Sequence, residues 1–216
     1  MAKKYRLVIF DFDGTLADTS ECIVKTAQRT MERLGLPMRS EWEIKQTIGL
    51  PLEECFRRLV GENRTDNLIE RCTDYYREEF FVLQEQTIRL FPGVKGWLQR
   101  LKDEGVKIAI ATSRGGKSLG MLCDQLGIGD FITMRMSSDL VTEKKPAPEM
   151  VERILAELKF SPDETLVVGD TVYDIEMGQR AGCDTCGVTW GNQSEDELKT
   201  LNPTMIMTEI KNRTEK

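Results

Sequence analysis

The run Leu7-Val8-Ile9-Phe10 is apolar at every position and breaks directly into Asp11-Phe12-Asp13-Gly14-Thr15. A strand with one face in water alternates apolar and polar residues. Residues 5–10 alternate little and read as a first strand covered on both faces, as in a parallel sheet flanked by helices. Similar runs recur after residue 91. Residues 106–111, 131–134, 165–169 and 185–188 read as strands, and 205–207 as a last short one. Helical patterns at 94–104, 116–126, 148–158, 172–181 and 195–201 fall between them. Strand and helix in alternation predict an α/β fold.

The stretch between the first strand and Phe91-Pro92-Gly93 has a different pattern. Asp18, Thr19, Ser20 and Glu21 are N-cap candidates for a helix reaching about residue 34, with Gly35 as its stop. Pro51, at its tolerated first-turn position, opens a second helix to residue 60, and 65–86 reads as a third. Residues 16–90 therefore read as all-helical, inserted after the first strand of a Rossmann-like core. The expected division is a core of 1–15 and 91–216, with a helical cap of 16–90. Trp42, Tyr75, Tyr76 and Phe80 are expected in the cap's own core.

Composition removes several function classes. The chain of 216 residues has no histidine, which excludes Ser-His-Asp and Cys-His catalysis and any His-ligated metal. Acid/base work then falls to carboxylates, lysine, tyrosine or cysteine, and a hard metal ion must be held by oxygen. A net charge of −6 argues against electrostatic nucleic-acid binding. No apolar run is long enough for a bilayer, and the first one is too short for a secretory signal, so a soluble cytoplasmic protein is expected. Cys22, Cys55, Cys72 and Cys123 sit in helical patterns as small buried hydrophobes. Cys183 and Cys186 form a CxxC that follows a helix instead of opening one, and no second pair lies nearby. Structural thiols are the expectation there.

Four motifs carry chemistry: Asp11-Phe12-Asp13-Gly14-Thr15, Ala111-Thr112-Ser113, Lys145-Pro146 and Gly169-Asp170-Thr171-Val172-Tyr173-Asp174. Each falls at a predicted strand end or loop. Parallel strands bring their carboxyl ends to one edge, so residues some 160 positions apart can share a crevice. The set offers carboxylates, a hydroxyl and an ammonium, which is what phosphoryl transfer needs.

These motifs, in this order and with the helical insertion after the first, resemble the haloacid dehalogenase-like superfamily over nearly the whole chain, within it the phosphoglycolate phosphatase-like branch. The resemblance implies a phosphatase acting on a small phosphate monoester: phosphoglycolate, a sugar phosphate, a nucleoside monophosphate or pyrophosphate. It implies Asp11 as nucleophile, forming an aspartyl phosphate, and Asp13 as general acid/base. Mg²⁺ would lie on Asp11, the Asp13 carbonyl and Asp170, with Asp174 ligating directly or through water. The Thr112 hydroxyl and Ser113 amide would bind phosphate oxygens, with Ser113 as an alternative hydroxyl donor and the amides of Gly115 and Gly116 favouring an anion. Lys145 would stabilise charge on nucleophile and phosphoryl group; the proline behind it favours it over Lys144. Gly14 would let backbone approach phosphate and Thr15 would contact substrate, as in phosphatase members. The cap loop Ile48-Gly49-Leu50-Pro51 would reach the site at Gly49. Arg57, Arg58 and Arg114 are candidates for a second anionic group of the substrate. A sugar-phosphate mutase of the same fold and a non-catalytic phosphate-ligand binder are the competing readings. Complete retention of the motifs disfavours the binder. A phosphonate-cleaving member would need a cap lysine, and only Lys25 and Lys45 lie there.

Overall fold

A computed structural model describes residues 5–61 and 65–210, with backbone alone at 85 and 86. The N-terminal residues 1–4, part of the signal-sequence reading, lie outside the described residues. In chain order the elements are β1 Leu7–Phe10, β2 Ala17–Asp18, α1 Ser20–Arg33, α2 Glu41–Lys45, α3 Leu52–Val60, α4 Asp66–Thr87 and β3 Arg89–Leu90. There follow α5 Val94–Asp103, β4 Lys107–Thr112, α6 Gly116–Gln125, β5 Met134–Ser137, α7 Glu149–Leu158, β6 Thr165–Gly169, α8 Val172–Arg180, β7 Asp184–Val188, α9 Glu195–Lys199 and β8 Met205–Met207.

The main sheet runs β5-β4-β1-β6-β7-β8, with every neighbouring pair parallel. The unbroken apolar strands have the two-sided cover their composition demands. Val8, Phe10, Ile108, Ile110, Leu166 and Val168 pack into one cluster. Leu7, Ile9, Ala109, Ala111 and Val167 point the other way, onto Met150, Val151 and Ile154 of α7. Cys186 joins the first cluster and Cys183 the second, so the CxxC straddles the sheet. Burial pushes the Cys186 thiol up to about 12, away from reactive thiolate.

The insertion builds its own core from Val24, Met31, Ile44, Phe56, Leu59 and Ile69. It is not all-helical. β2 and β3 pair antiparallel where the chain leaves and re-enters the sheet layer, with Ala17 opposite Leu90. Two-residue strands have no period for a sequence pattern to reveal. The five-residue α2 was hidden for the same reason, although Ser40 and Glu43 close a reciprocal capping box on it. Pro51 is the N-cap of α3, extended at φ −57°, ψ 144°, one position outside the expected first turn. The strand expected at 131–134 lies at β5, because Gly129–Phe131 forms a 3₁₀ turn that packs Phe131 on the first cluster. Trp42, expected in the insertion core, is 69% exposed, and Phe80 is buried in the first sheet cluster and not in the insertion's own core. No helix among the described residues is long and apolar enough to cross a membrane.

Candidate active site

Three adjacent strands set the site. Phe10 ends β1 opposite Ile110 of β4 on one side and Val168 of β6 on the other, so Asp11, Thr112 and Asp170 emerge at one sheet edge. The Asp11 amide donates to the Val168 carbonyl at 2.8 Å, holding the nucleophile candidate in strand-like backbone. Asp174 comes to the same place from the first turn of α8, where its Oδ2 accepts from the Thr171 amide (3.0 Å) and hydroxyl (2.7 Å). That capping box both starts α8 and aims the carboxylate.

Lys145, on the loop before α7, is 3% exposed. Its ammonium donates to Asp11 Oδ1 at 2.5 Å and to Asp174 Oδ1 at 2.7 Å. Burial alone would lower its pKa; the two carboxylates outweigh that and raise it, so the ammonium stays charged. Lys144, its neighbour, instead lies 3.6 Å from Glu53 of the insertion. Asp11, Asp170 and Asp174 are all buried and each brings an oxygen within 4.8 Å of the others'. Burial pushes Asp11 well above the usual carboxylate range against the pull of Lys145. Burial and the adjoining Asp174 push Asp170 up to about 7, against hydrogen bonds from Asn192 and Thr15. Three buried carboxylates facing one ammonium leave an excess of negative charge, and an all-oxygen donor set of this kind fits a hard divalent cation.

Three site residues have neighbours other than those expected. Thr15 is fully buried and donates its hydroxyl to Asp170 Oδ1 at 2.9 Å, so its partner is the acidic cluster. Gly14 has φ +93°, and a Cβ there would stand 2.2 Å from Asp170 Oδ2 and 2.3 Å from Asn192 Nδ2. The close approach that requires glycine is thus by Asp170 and Asn192. Arg114 also differs. Its guanidinium forks onto Asp13, with Nε to Oδ2 at 3.0 Å and Nη2 to Oδ1 at 2.5 Å, while lying over the Phe80 ring at 4.5 Å. The Asp13 carboxylate attracts the charge that burial disfavours, and the net effect raises the Arg114 pKa.

The Thr112 hydroxyl accepts from the Arg114 amide at 3.2 Å. The Ser113 hydroxyl reaches across the crevice to the Gly49 carbonyl at 2.6 Å, so the insertion loop and Gly49 do arrive at the site. The Gly116 amide, expected to be open for an anion, donates to Asp139 Oδ2 at 2.7 Å; the helix end already has its carboxylate. Arg57 is away from the crevice, paired with Asp66 at 2.6 Å, and Arg58 bonds Glu54 and the Tyr173 hydroxyl.

Asn192 escaped the sequence reading. Its amide and its side-chain Nδ2 both donate to Asp170 Oδ2 at 2.8 Å, and Nδ2 lies 3.5 Å from the Asp13 carbonyl. Gln193 beside it accepts from the Val172 amide at the start of α8 at 2.6 Å. The available signal was the segment Gly191-Asn192-Gln193 just past the carboxyl end of β7, the same edge as the motifs.

A parallel sheet that gathers carboxylates and one lysine at its carboxyl edge, under a helical insertion, is the arrangement of an α/β enzyme with an acidic site. Residues 8–188 match the model of the haloacid dehalogenase-like hydrolases, and the chain belongs to that family. Among its relatives, Probable phosphatase IndB of Dickeya dadantii is 36% identical over 206 residues, covering 93% of this chain and 88% of its own. Pyrophosphatase PpaX of Oceanobacillus iheyensis is 31% identical, covering 95% and 94%. Others are named phosphoglycolate phosphatase. A crystal structure described as a haloacid dehalogenase-like hydrolase of Bacteroides fragilis superposes with a TM-score of 0.90 at 29% identity, over 96% of this chain and 98% of that one.

Proposed function

We propose that the chain hydrolyses a small phosphate monoester in two steps through an aspartyl phosphate on Asp11, with Mg²⁺ at the acidic cluster. Its class, a phosphatase of the haloacid dehalogenase-like hydrolases, follows from the family and from relatives named as phosphatases. The observation that carries the mechanism is the buried Lys145 ammonium bridging Asp11 and Asp174 beside Asp170. It neutralises part of the charge on Asp11 and leaves Oδ2 of that carboxylate to attack.

In the first step Asp11 Oδ2 attacks phosphorus, the ester P–O bond breaks, and Asp13, having taken up a proton from solvent as Arg114 releases it, gives that proton to the departing oxygen. In the second, Asp13 takes a proton from water, the water oxygen attacks phosphorus, and the Asp11–phosphate bond breaks to free inorganic phosphate and the Asp11 carboxylate. The Thr112 hydroxyl and Ser113 amide bind phosphoryl oxygens, and Lys145 offsets charge on the phosphoryl group. Asp11, Asp170, Asp174 and the Asp13 carbonyl would hold Mg²⁺, which when bound offsets repulsion between the attacking and attacked anions. Thr15 and Asn192 orient Asp170, an outer tier that tunes ligands. Arg114 positions Asp13 and must release at least one of its oxygens before proton transfer.

We assign 1–15 and 91–216 as the catalytic core and 16–90 as a cap that excludes water from the crevice. The buried thiols Cys22, Cys72 and Cys123 suit a reducing compartment, the cytoplasm. The test is phosphate release from p-nitrophenyl phosphate with Mg²⁺, with EDTA, and with Asp11→Asn. We expect metal-dependent turnover, loss of at least about 10³-fold in the variant, and hydroxylamine-labile phosphate on acid-quenched wild type. Turnover that survives EDTA or Asp11→Asn would sink this reading.

A further inference from the structure

A cavity of about 520 Å³ extends from the acidic site up into the insertion. Asp11, Asp13, Thr112 and Ser113 lie at its floor, and Ile23, Leu52, Tyr76 and Phe81, all partly exposed, line its upper wall in front of the buried insertion core. That volume falls within the range of pockets that enclose drug-sized organic ligands. Glycolate or a second phosphate group would occupy only a small part of it.

The charges in the wall matter as much as its size. An anionic leaving group taken from water needs a cation in place of its hydration. Four cations line this cavity: Arg77, Arg114, Lys117 and Lys144. Arg114 is forked onto Asp13, Arg77 pairs with Glu53 at 3.1 Å and Asp74 at 3.3 Å, and Lys144 pairs with Glu53 at 3.6 Å. Lys117, which has no ion pair among the described residues, is exposed at the rim, 5.6 Å from the Phe81 ring centre. Arg77, Arg114 and Lys144 are thus each engaged by a carboxylate, and Lys117, the fourth, stands in solvent at the rim away from the upper wall.

Resting on the phosphatase reading above, we propose that the preferred substrate is a phosphate monoester of an uncharged, largely apolar alcohol, whose organic group fills the upper cavity. A second anionic group is selected against. This departs from the substrates that the relatives' names specify, phosphoglycolate and pyrophosphate. Apolar burial draws the organic group in, and the committed cations withhold compensation from a carboxylate or second phosphoryl group.

The experiment compares kcat/KM, with Mg²⁺, for 2-phosphoglycolate and isobutyl phosphate, whose leaving groups share one shape and differ in charge. Ethyl, butyl and hexyl phosphate, pyrophosphate and p-nitrophenyl phosphate complete the panel. Isobutyl phosphate is expected to exceed phosphoglycolate by at least about tenfold, and the alkyl series to rise by about fourfold per methylene until the cavity is full. Leu52→Lys, a change in the partly buried upper wall, is expected to move the ratio at least about tenfold toward phosphoglycolate. Phosphoglycolate or pyrophosphate equal to or better than isobutyl phosphate, with p-nitrophenyl phosphate still turned over, would overturn this proposal and leave the phosphatase reading standing. Failure to hydrolyse even p-nitrophenyl phosphate would remove the phosphatase reading itself and this proposal with it.

Discussion

Thr15 illustrates how a single hydroxyl can matter at a distance from the substrate. It is fully buried, and its bond to Asp170 Oδ1 holds one oxygen while Asn192 holds the other. A carboxylate so fixed presents a set direction to a cation. Thr15→Val keeps the side-chain shape and deletes the donor. The expected result is Mg²⁺ affinity weaker by about 10- to 100-fold, read from activity against Mg²⁺ concentration, with kcat at saturating metal much less affected. Unchanged Mg²⁺ dependence would show that Asp170 needs no such support. Gly14 belongs to the same arrangement, since its missing side chain is what lets Asp170 and Asn192 close around the backbone of the loop after β1.

At the scale of elements, the contact between insertion and sheet holds the insertion over the crevice. Among the described residues, three side-chain hydrogen bonds or ion pairs cross it: Ser113 to the Gly49 carbonyl, Arg58 to the Tyr173 hydroxyl, and Lys144 to Glu53. The last two are exposed at the surface, where such pairs contribute little. The Ser113 bond, at 2.6 Å and partly buried, is the strongest candidate. Ser113→Ala is expected to cost the closed arrangement about 1 kcal/mol, equivalent to about fivefold in its population, and to appear as a raised KM with kcat nearly retained. Equal KM values for the two proteins would mean that closure depends on the apolar contacts alone. The antiparallel β2–β3 ribbon sits where the chain enters and leaves the insertion.

For the molecule as a whole, the acidic cluster is a liability as well as a site. Burial and Asp174 raise Asp170 from an ordinary carboxylate pKa near 3.8 to about 7. A raised folded-state pKa means that the native protein binds the proton more tightly than the unfolded chain. The stability this supplies is present below about pH 4 and is lost as pH rises toward about 7. In EDTA, the stability advantage of Asp170→Asn over wild type should therefore grow across that window, measured by urea unfolding at several pH values. With Mg²⁺ the wild type should regain stability, because a ligand of the native state alone favours folding. The variant should gain less. A wild type that loses nothing relative to Asp170→Asn between those pH values would show that the cluster is relieved by another route.

The architecture was legible because its cause is local. The apolar runs at 7–10 and 165–169 lack alternation, and only burial on both faces of a parallel sheet accommodates such runs. The motif positions at strand ends then place Asp11, Thr112 and Asp170 together by topology, and the CxxC reads as structural because it follows a helix. Contacts between distant parts of the chain left no such pattern. That Thr15 faces Asp170, that Asn192 completes its hydrogen bonds and that Arg114 holds Asp13 are results of which loops meet at the sheet edge. Side-chain type alone leaves a buried threonine or arginine free to bind substrate or protein. The two-residue strands and the short α2 were equally silent, being too brief for periodicity and stabilised by their pairing and caps. Sequence thus determined the sheet, its order of motifs and the chemical groups available. Tertiary structure decided which of those groups already have partners, since a donor's orientation depends on what stands within about 3 Å of it after folding.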